Sequence, residues 1–303
     1  MKNGTPIVAL PGSDDFFASR LAAHLSCSRP QVELHQFPDG ETRIRIDPEA
    51  NYATTLVVAS LHHANPGVLP LLFLAATLRD FGADNITLIA PYLAYMRQDR
   101  RFRPGEGVSA RYFAKLLSDY FDALITVDPH LHRIESLDTV FSIPSRVVHA
   151  APDVAAWIQF NVKNPVIVGP DSESEQWVKH VSELARAPCF VLEKIRHGDR
   201  DVEVSAPDAA RWRSHTPVLV DDIVASAGTM IETVKHLRAA GLNPPVCVAI
   251  HGIFAGDALA DLNSAGAGPV VSTNTILHVT NAIDVSGSVS DCVRKFSGSA
   301  RTA

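Results

Sequence analysis

The chain has 303 residues, 46% hydrophobic and 20% charged, a globular composition that suits two α/β units of about 150 residues each. Lys and Arg total 27 against 33 Asp and Glu, a net charge of −6, which leaves no broad basic face for coating a nucleic acid or a membrane surface. The most apolar stretch, Val68 to Leu78, contains Pro70 and is much shorter than the ~20 residues a membrane span needs.

The N-terminal MKNGTPIVAL lacks the apolar core and cleavage site of a signal peptide. Ile7–Leu10 reads as a strand and Ser13–Leu25 as a helix with a Ser/Asp start. Thr54–Ala59 is a strand, Pro66–Phe81 a helix stopped at Gly82, and Ile86–Ala90 a strand. Ser109–Tyr120 is a helix and Ala123–Val127 a strand. The alternation then restarts. Arg146–Val148 is a strand, Pro152–Phe160 a helix, Val166–Val168 a strand, Glu173–Leu184 a helix and Cys189–Lys194 a strand. Pro217–Val220, the helix Gly228–Ala240 and the strand Val246–Ile250 follow. Helices between apolar strands mean βαβ units, so each half is expected to hold a mostly parallel sheet flanked by helices. The boundary is placed at 1–145 and 146–303, near Phe141–Ser145. The tail after Thr280 is rich in Ser, Gly and Ala; it is expected to pack back on the first half, with disorder at its last residues. Cys27, Cys189, Cys247 and Cys292 form no CxxC pair and read as reduced thiols of a cytoplasmic protein.

Two segments carry chemistry. In PVLVDDIVASAGTM (Pro217–Met230), an apolar strand runs into Asp221 and Asp222. A turn of small residues follows, Ala225-Ser226-Ala227-Gly228-Thr229, and then a helix. Small side chains let backbone N–H groups close on a phosphate, and the helix start adds positive potential. Ser226 and Thr229 can donate from their hydroxyls, and the two acids can accept from sugar hydroxyls. The segment reads as a sugar-phosphate pocket; an ordinary capped strand–turn–helix is the plain alternative. It is not a Walker loop, since GxxxxGK[ST] is absent. The second segment is RQDRRFR, Arg97–Arg103, with four arginines and one aspartate in a Pro/Gly-bounded loop after a strand. Arginine forks suit the oxygens of a nucleoside polyphosphate, and a solvated ion-pair loop is the alternative.

VLVDDIVASAGT resembles the ribose-phosphate loop shared by phosphoribosyltransferases and ribose-phosphate diphosphokinases, the PRPP synthetases. Several synthetases carry Asp-Thr where this chain has Ala225-Ser226; Ala is familiar there in transferases. PYLAYMRQDRRFRPGEGVSARYFAKLL resembles the PY-x-x-Y-x-RQDR segment of the synthetases, which transferases generally lack. Further likenesses run in order along the chain: FPDGE (Phe37–Glu41), TVDPHLHRIESL, VGPDSESEQW, VLEKIRHGDRDVEV, HGIFAG (His251–Gly256) and TNTI. The Lys-x-Arg hairpin and Ser172-Glu173-Ser174 look more like the archaeal-type branch than the common bacterial one.

The resemblance implies two phosphoribosyltransferase-like domains, with ATP on the first and ribose 5-phosphate on the second. It implies ATP contacts from Phe37, Asp39 and Glu41, the first as an adenine platform, and from Arg97, Gln98, Asp99 and His130. The Phe37–Ile46 hairpin would complete a neighbouring subunit's site, so a homo-oligomer is implied. Mg²⁺ would sit near His130 and Asp171, and Lys194 and Arg196 would be the catalytic cations. The sugar phosphate would take Asp221, Asp222, Ala225, Ser226, Ala227, Gly228 and Thr229. The implied reaction moves a diphosphoryl group from ATP to ribose 5-phosphate, supplying nucleotide biosynthesis. Rival readings are a transferase that consumes the diphosphate sugar and a catalytically silent regulatory homologue. His62-His63 is a poor metal pair because its members are adjacent in a loop, and nothing assigns a role to His132.

Overall fold

Runs of β-branched and apolar residues, separated by amphipathic stretches, build two parallel sheets. The structure, a computed structural model, describes residues 5–12, 14–131, 133–170, 174–196, 202–205 and 209–299. The chain divides into two compact units, each with its own sheet.

The first unit opens with β1 (Ile7–Ala9) and α1 (Asp14–Leu25). The hairpin β2 (Val32–Gln36) and β3 (Thr42–Ile46) stands apart as a two-stranded antiparallel ribbon. Then come β4 (Thr54–Val58), α2 (Ala64–Asp80), β5 (Asn85–Ala90), α3 (Ser109–Ser118), β6 (Ala123–Val127) and β7 (Ser145–Val148). The sheet order is β1-β4-β5-β6-β7, parallel throughout. Its centre is dry: Val57, Ile86, Leu88, Ile89, Leu124 and Ile125 are fully buried. That is the pattern of a parallel strand covered on both faces. Strand β7 pairs with β6 (Leu124↔Ser145 to Val127↔Val148) and completes this first sheet. The sequence reading instead opens the second half with Arg146–Val148. A short segment ending in Val147-Val148 says that a strand is present, but its neighbours decide which sheet it joins.

The second unit contains α4 (Ala151–Asn161), β8 (Pro165–Gly169), α5 (Glu175–Ala185), β9 (Cys189–Val191), β10 (Glu193–Arg196), β11 (Val202–Ser205) and α6 (Ala209–Trp212). It continues with β12 (Thr216–Val224), α7 (Gly228–Ala239), β13 (Val246–Gly252), α8 (Ala258–Ser264), β14 (Val270–Thr273) and β15 (Asn281–Ile283). The six-stranded parallel sheet runs β15-β14-β13-β12-β8-β9. Cys189–Lys194, read as one strand from sequence, is two. Leu192 N–H gives a last ladder bond to Gly169 O at 2.9 Å, and the chain then leaves the sheet. Strands β10 and β11 form a separate antiparallel hairpin.

The Ser/Gly-rich tail also holds regular structure. After β15 it forms α9 (Ser286–Ser299), which belongs to the first unit and packs against α1. Val289 and Val293, one turn apart, are buried. No helix among the described residues is long and apolar enough to cross a membrane.

Candidate active site

Functional groups of parallel sheets collect in the loops beyond the strands' carboxyl ends, above all where the strand order reverses. In the second unit that reversal lies between β8, which continues outward to β9, and β12, which continues outward to β13. Strand β8 ends at Gly169. A Cβ there would come within 2.5 Å of Ser174 Oγ, 3.1 Å of Val191 and 3.2 Å of Val178, so the strand end is tightly packed. Pro170 and Asp221 line one small cleft together with Met230 and Thr233.

Strand β12 runs further than the sequence pattern indicates. Asp221 and Asp222 look like the start of a loop, yet the ladder continues through Ile223↔His251 and Val224↔Gly252. The two half-buried carboxylates therefore stand on a strand rather than on a flexible turn. Asp221 Oδ1 accepts from Asp222 N–H at 3.0 Å, and Asp222 Oδ1 from Ile223 N–H at 2.8 Å. The turn Ala225–Ala227 is held from below. Ile253 and Phe254 N–H both give 3.0 Å bonds to Val224 O, and Ala255 N–H gives a 2.9 Å bond to Ala225 O. A Cβ on Gly252 would meet Phe254 at 2.7 Å and Ser272 at 2.9 Å, so this support has no room for a side chain.

Ala227, with φ +60°, precedes the helix. A left-handed residue there turns the chain sharply, and a small side chain keeps the strain low. Ala227 itself is buried, whereas Ser226, Gly228 and Thr229 are exposed. Their hydroxyls and the first N–H groups of α7 thus lie at the helix's positive end, open to an anion.

In the first unit the arginine loop follows β5, and the Asp-Pro-His segment follows the neighbouring β6. Arg97 is exposed. Gln98 Nε2 donates to Arg100 O at 3.3 Å and Gly107 O at 3.4 Å. Glu106 Oε2 accepts from Phe102 N–H at 2.8 Å and Arg103 N–H at 3.0 Å, so one carboxylate folds the loop around itself. The Asp99 side chain is only 1% exposed and lies 3.4 Å from Arg133 Nη1. His130 is half-buried. Asp128, two residues earlier, holds φ +29° at the end of β6. Its Oδ1 lies 2.8 Å from His149 Nδ1, at the end of β7. That hydrogen bond raises the His149 pKa above its ordinary value.

Phe37, Asp39 and Glu41 form the tip of the β2–β3 hairpin. Phe37 N–H donates to Glu41 O at 2.8 Å, and Asp39 Oδ1 accepts from Glu41 N–H at 3.1 Å. Phe37 is 40% exposed, its ring edge-on to His35 at 4.7 Å, so it is not the core residue its hydrophobicity would suggest. Lys194 and Arg196 lie in β10, in register with Val204 and Val202. Asp171, Ser172, Glu173 and His132 lie outside the described residues. His62 and His63 touch ring to ring at 4.5 Å, and burial lowers the His62 pKa. Among the described residues no group of three or more His, Cys, Asp or Glu is placed to hold a metal.

Asp128, Glu106 and Arg133 are absent from the sequence-derived set. Asp128 could have been noticed as a carboxylate at a strand's carboxyl end. Glu106 folds its own loop through bonds to Phe102 and Arg103, and Arg133 acts through a contact between two loops, which local pattern does not encode.

Comparison with known proteins gives two family matches. Residues 7–120 match the N-terminal domain of ribose phosphate pyrophosphokinase, and residues 141–284 match the phosphoribosyl transferase domain. A ribose-phosphate pyrophosphokinase of Methanopyrus kandleri is 32% identical over 281 residues, 92% of this chain and 95% of that protein. The chain belongs to the ribose-phosphate pyrophosphokinase family. Another pyrophosphokinase of this name, from Sulfolobus acidocaldarius, is 33% identical over 276 residues, covering 89% of this chain and 94% of its own. The phosphoribosylpyrophosphate synthetase of Mycobacterium smegmatis shares the fold, with a TM-score of 0.81 and 22% identity over 97% of this chain and 99% of that one. The pyrophosphokinase family model covers the arginine loop, and the transferase model covers the phosphate turn.

Proposed function

We propose that this chain is a ribose-phosphate diphosphokinase that makes 5-phosphoribosyl 1-diphosphate and AMP from ATP and ribose 5-phosphate. The observation that carries the reading is the phosphate turn at the reversal of the second sheet. It lies in a chain that also bears an arginine loop of no evident use to a simple transferase. The turn 225–229 holds the 5-phosphate, and Asp221 and Asp222 accept from the ribose hydroxyls. Arg97 and Gln98 hold the polyphosphate of ATP, with Phe37, Asp39 and Glu41 supplied by a second copy of the chain. The exposed hairpin supports that last assignment, because a two-stranded ribbon is marginal alone and gains from a covering surface.

The anomeric hydroxyl attacks the β-phosphorus of ATP. The bond from the β-phosphorus to the oxygen bridging it to the α-phosphorus breaks, AMP departs, and the hydroxyl proton is lost to solvent. Lys194 and Arg196 neutralise charge on the departing AMP, so catalysis is positioning and electrostatics. His130 and the Asp128 carboxylate two residues before it would hold a magnesium ion, a sparse donor pair suited to an ion that takes most of its ligands from substrate phosphates and water. Bound there, magnesium would neutralise phosphate charge. The reading includes a cytoplasmic reaction, which small soluble substrates support. Incubation with ATP, Mg²⁺ and ribose 5-phosphate tests the reading: AMP accumulates, whereas accumulation of ADP would refute it.

A further inference from the structure

The stretch between β5 and α3, residues 91–108, has no regular secondary structure. A loop of that length keeps a fixed shape only if something ties it down. Inside the loop, Glu106 and Gln98 make the ties described above. A tie to the neighbouring strand's loop is made by Arg133, three residues beyond His130. Its Nη1 donates to Asp99 Oδ2 at 3.4 Å. Its guanidinium also lies 5.9 Å from the centroid of the Phe102 ring, on which Arg100 sits at 5.0 Å. Arg133 thus grips the arginine loop at two points, one ionic and one aromatic.

Asp99 is informative because it is enclosed. Its side chain is 1% exposed, and Oδ1 is buried without a hydrogen-bond partner. An acid so placed does not reach a nucleotide, and its charge would repel phosphate. Its Oδ2 instead meets Arg133, itself 46% exposed, which closes the site from the solvent side. Removing Arg133 would strand a carboxylate in a dry place, the costly way to break an ion pair. The loop would have to move to rehydrate it.

We propose that Arg133 is a positioning residue for the nucleotide. Through Asp99 and Phe102 it fixes the arginine loop, and so the placing of Arg97 and Gln98. Asp99 serves this tie rather than touching ATP. The proposal rests on the reaction proposed above, and its test is chosen to separate the two.

The variants are R133Q, R133K, D99N and the double R133Q/D99N, each compared with the full wild-type chain. Three readings are taken: KM for ATP against kcat, binding of α,β-methylene-ATP with Mg²⁺ by calorimetry, and hydrogen exchange of the segment 97–106. R133Q raises KM and Kd by about tenfold or more with kcat changed by less than about threefold, the signature of lost uniform binding. Exchange over 97–106 quickens, while the sheet strands exchange as before. The double variant is no worse than the worse single one, because both residues act as one unit. R133K, which keeps the charge and loses the planar stacking, falls between. It is the variant to read if R133Q does not purify folded, with the same direction of change expected. Unchanged KM and exchange in R133Q or R133K, or additive losses in the double variant, would overturn the proposal. So would a D99N defect with R133Q unaffected, since Asp99 would then contact the nucleotide itself. A wild-type chain that makes no AMP would sink the reaction reading instead, and the exchange data would still decide the tie.

Discussion

Lys194 and Arg196 show what a residue's number and neighbours can and cannot say. Their alternation along a strand was legible in the sequence, and β10 is a strand paired in register with β11. By default two such cations are a solvated edge; only the resemblance of VLEKIRHGDRDVEV to the family's catalytic hairpin marks them for catalysis. Lys194→Ala is therefore expected to lower kcat by roughly 10²-fold or more, the scale of losing one transition-state donor. Substrate KM should change much less. Steady-state kinetics on the variant decides, and near-normal turnover would remove Lys194 from the mechanism. Asp99 teaches the opposite lesson. Its residue type and position resemble a nucleotide contact, while its side chain is 1% exposed and faces Arg133 at 3.4 Å. Burial of a single carboxylate depends on what folds over it, and that information sits in Arg133, 34 residues further on.

At the scale of elements, the start of α1 carries a titration of its own. Asp14 Oδ1 accepts from Ser60 N–H at 2.9 Å, tying α1 to the loop after β4. Burial, with the charge of Asp15 adding to it, raises the Asp14 pKa from 3.8 to about 6. A raised folded pKa means that the folded state holds the proton more tightly than the unfolded chain. The contribution of this group is full below about pH 4, falls as pH rises through about 6, and is constant above. The loss is on the order of 2–3 kcal/mol. Asp14→Asn keeps an oxygen for Ser60 and removes the charge. Its urea midpoint, relative to wild type, should be higher at pH 7.5 than at pH 4.5; an equal difference at both would contradict this.

Element by element, the strong signals were the apolar runs. The α7 start at Gly228 and the strand β6 fall where the pattern puts them. Two elements were not legible for tertiary reasons. Strand β12 extends through Asp221 and Asp222, residues of low strand propensity, because β13 supplies a paired ladder along that length. The final helix forms from SGSVSDCVRKFSGS, a poor helix former, because Val289 and Val293 find a buried place against the first unit.

For the molecule as a whole, the net charge of −6 hides a division of labour. The first unit carries the arginine loop and the Asp-Pro-His segment; the second carries the phosphate turn at the reversal of its sheet. The hairpin β2–β3 gives the core only its base, Val32 and Ile46. All of β2 except Val32 is exposed, as is Phe37 at the tip. If a second copy completes the nucleotide site, specific activity must fall as the protein is diluted through its dissociation range, with light scattering falling in parallel. Constant specific activity across a change in assembly size would mean that each chain is sufficient.

Which phosphorus is attacked defines the proposed reaction. A phosphorus NMR time course with ATP, Mg²⁺ and ribose 5-phosphate reads this directly. AMP and an anomeric sugar diphosphate are expected to appear in equal amounts as ATP disappears, with the 5-phosphate signal retained. ADP with a sugar bisphosphate would mean attack at the γ-phosphorus and would contradict the proposed reaction.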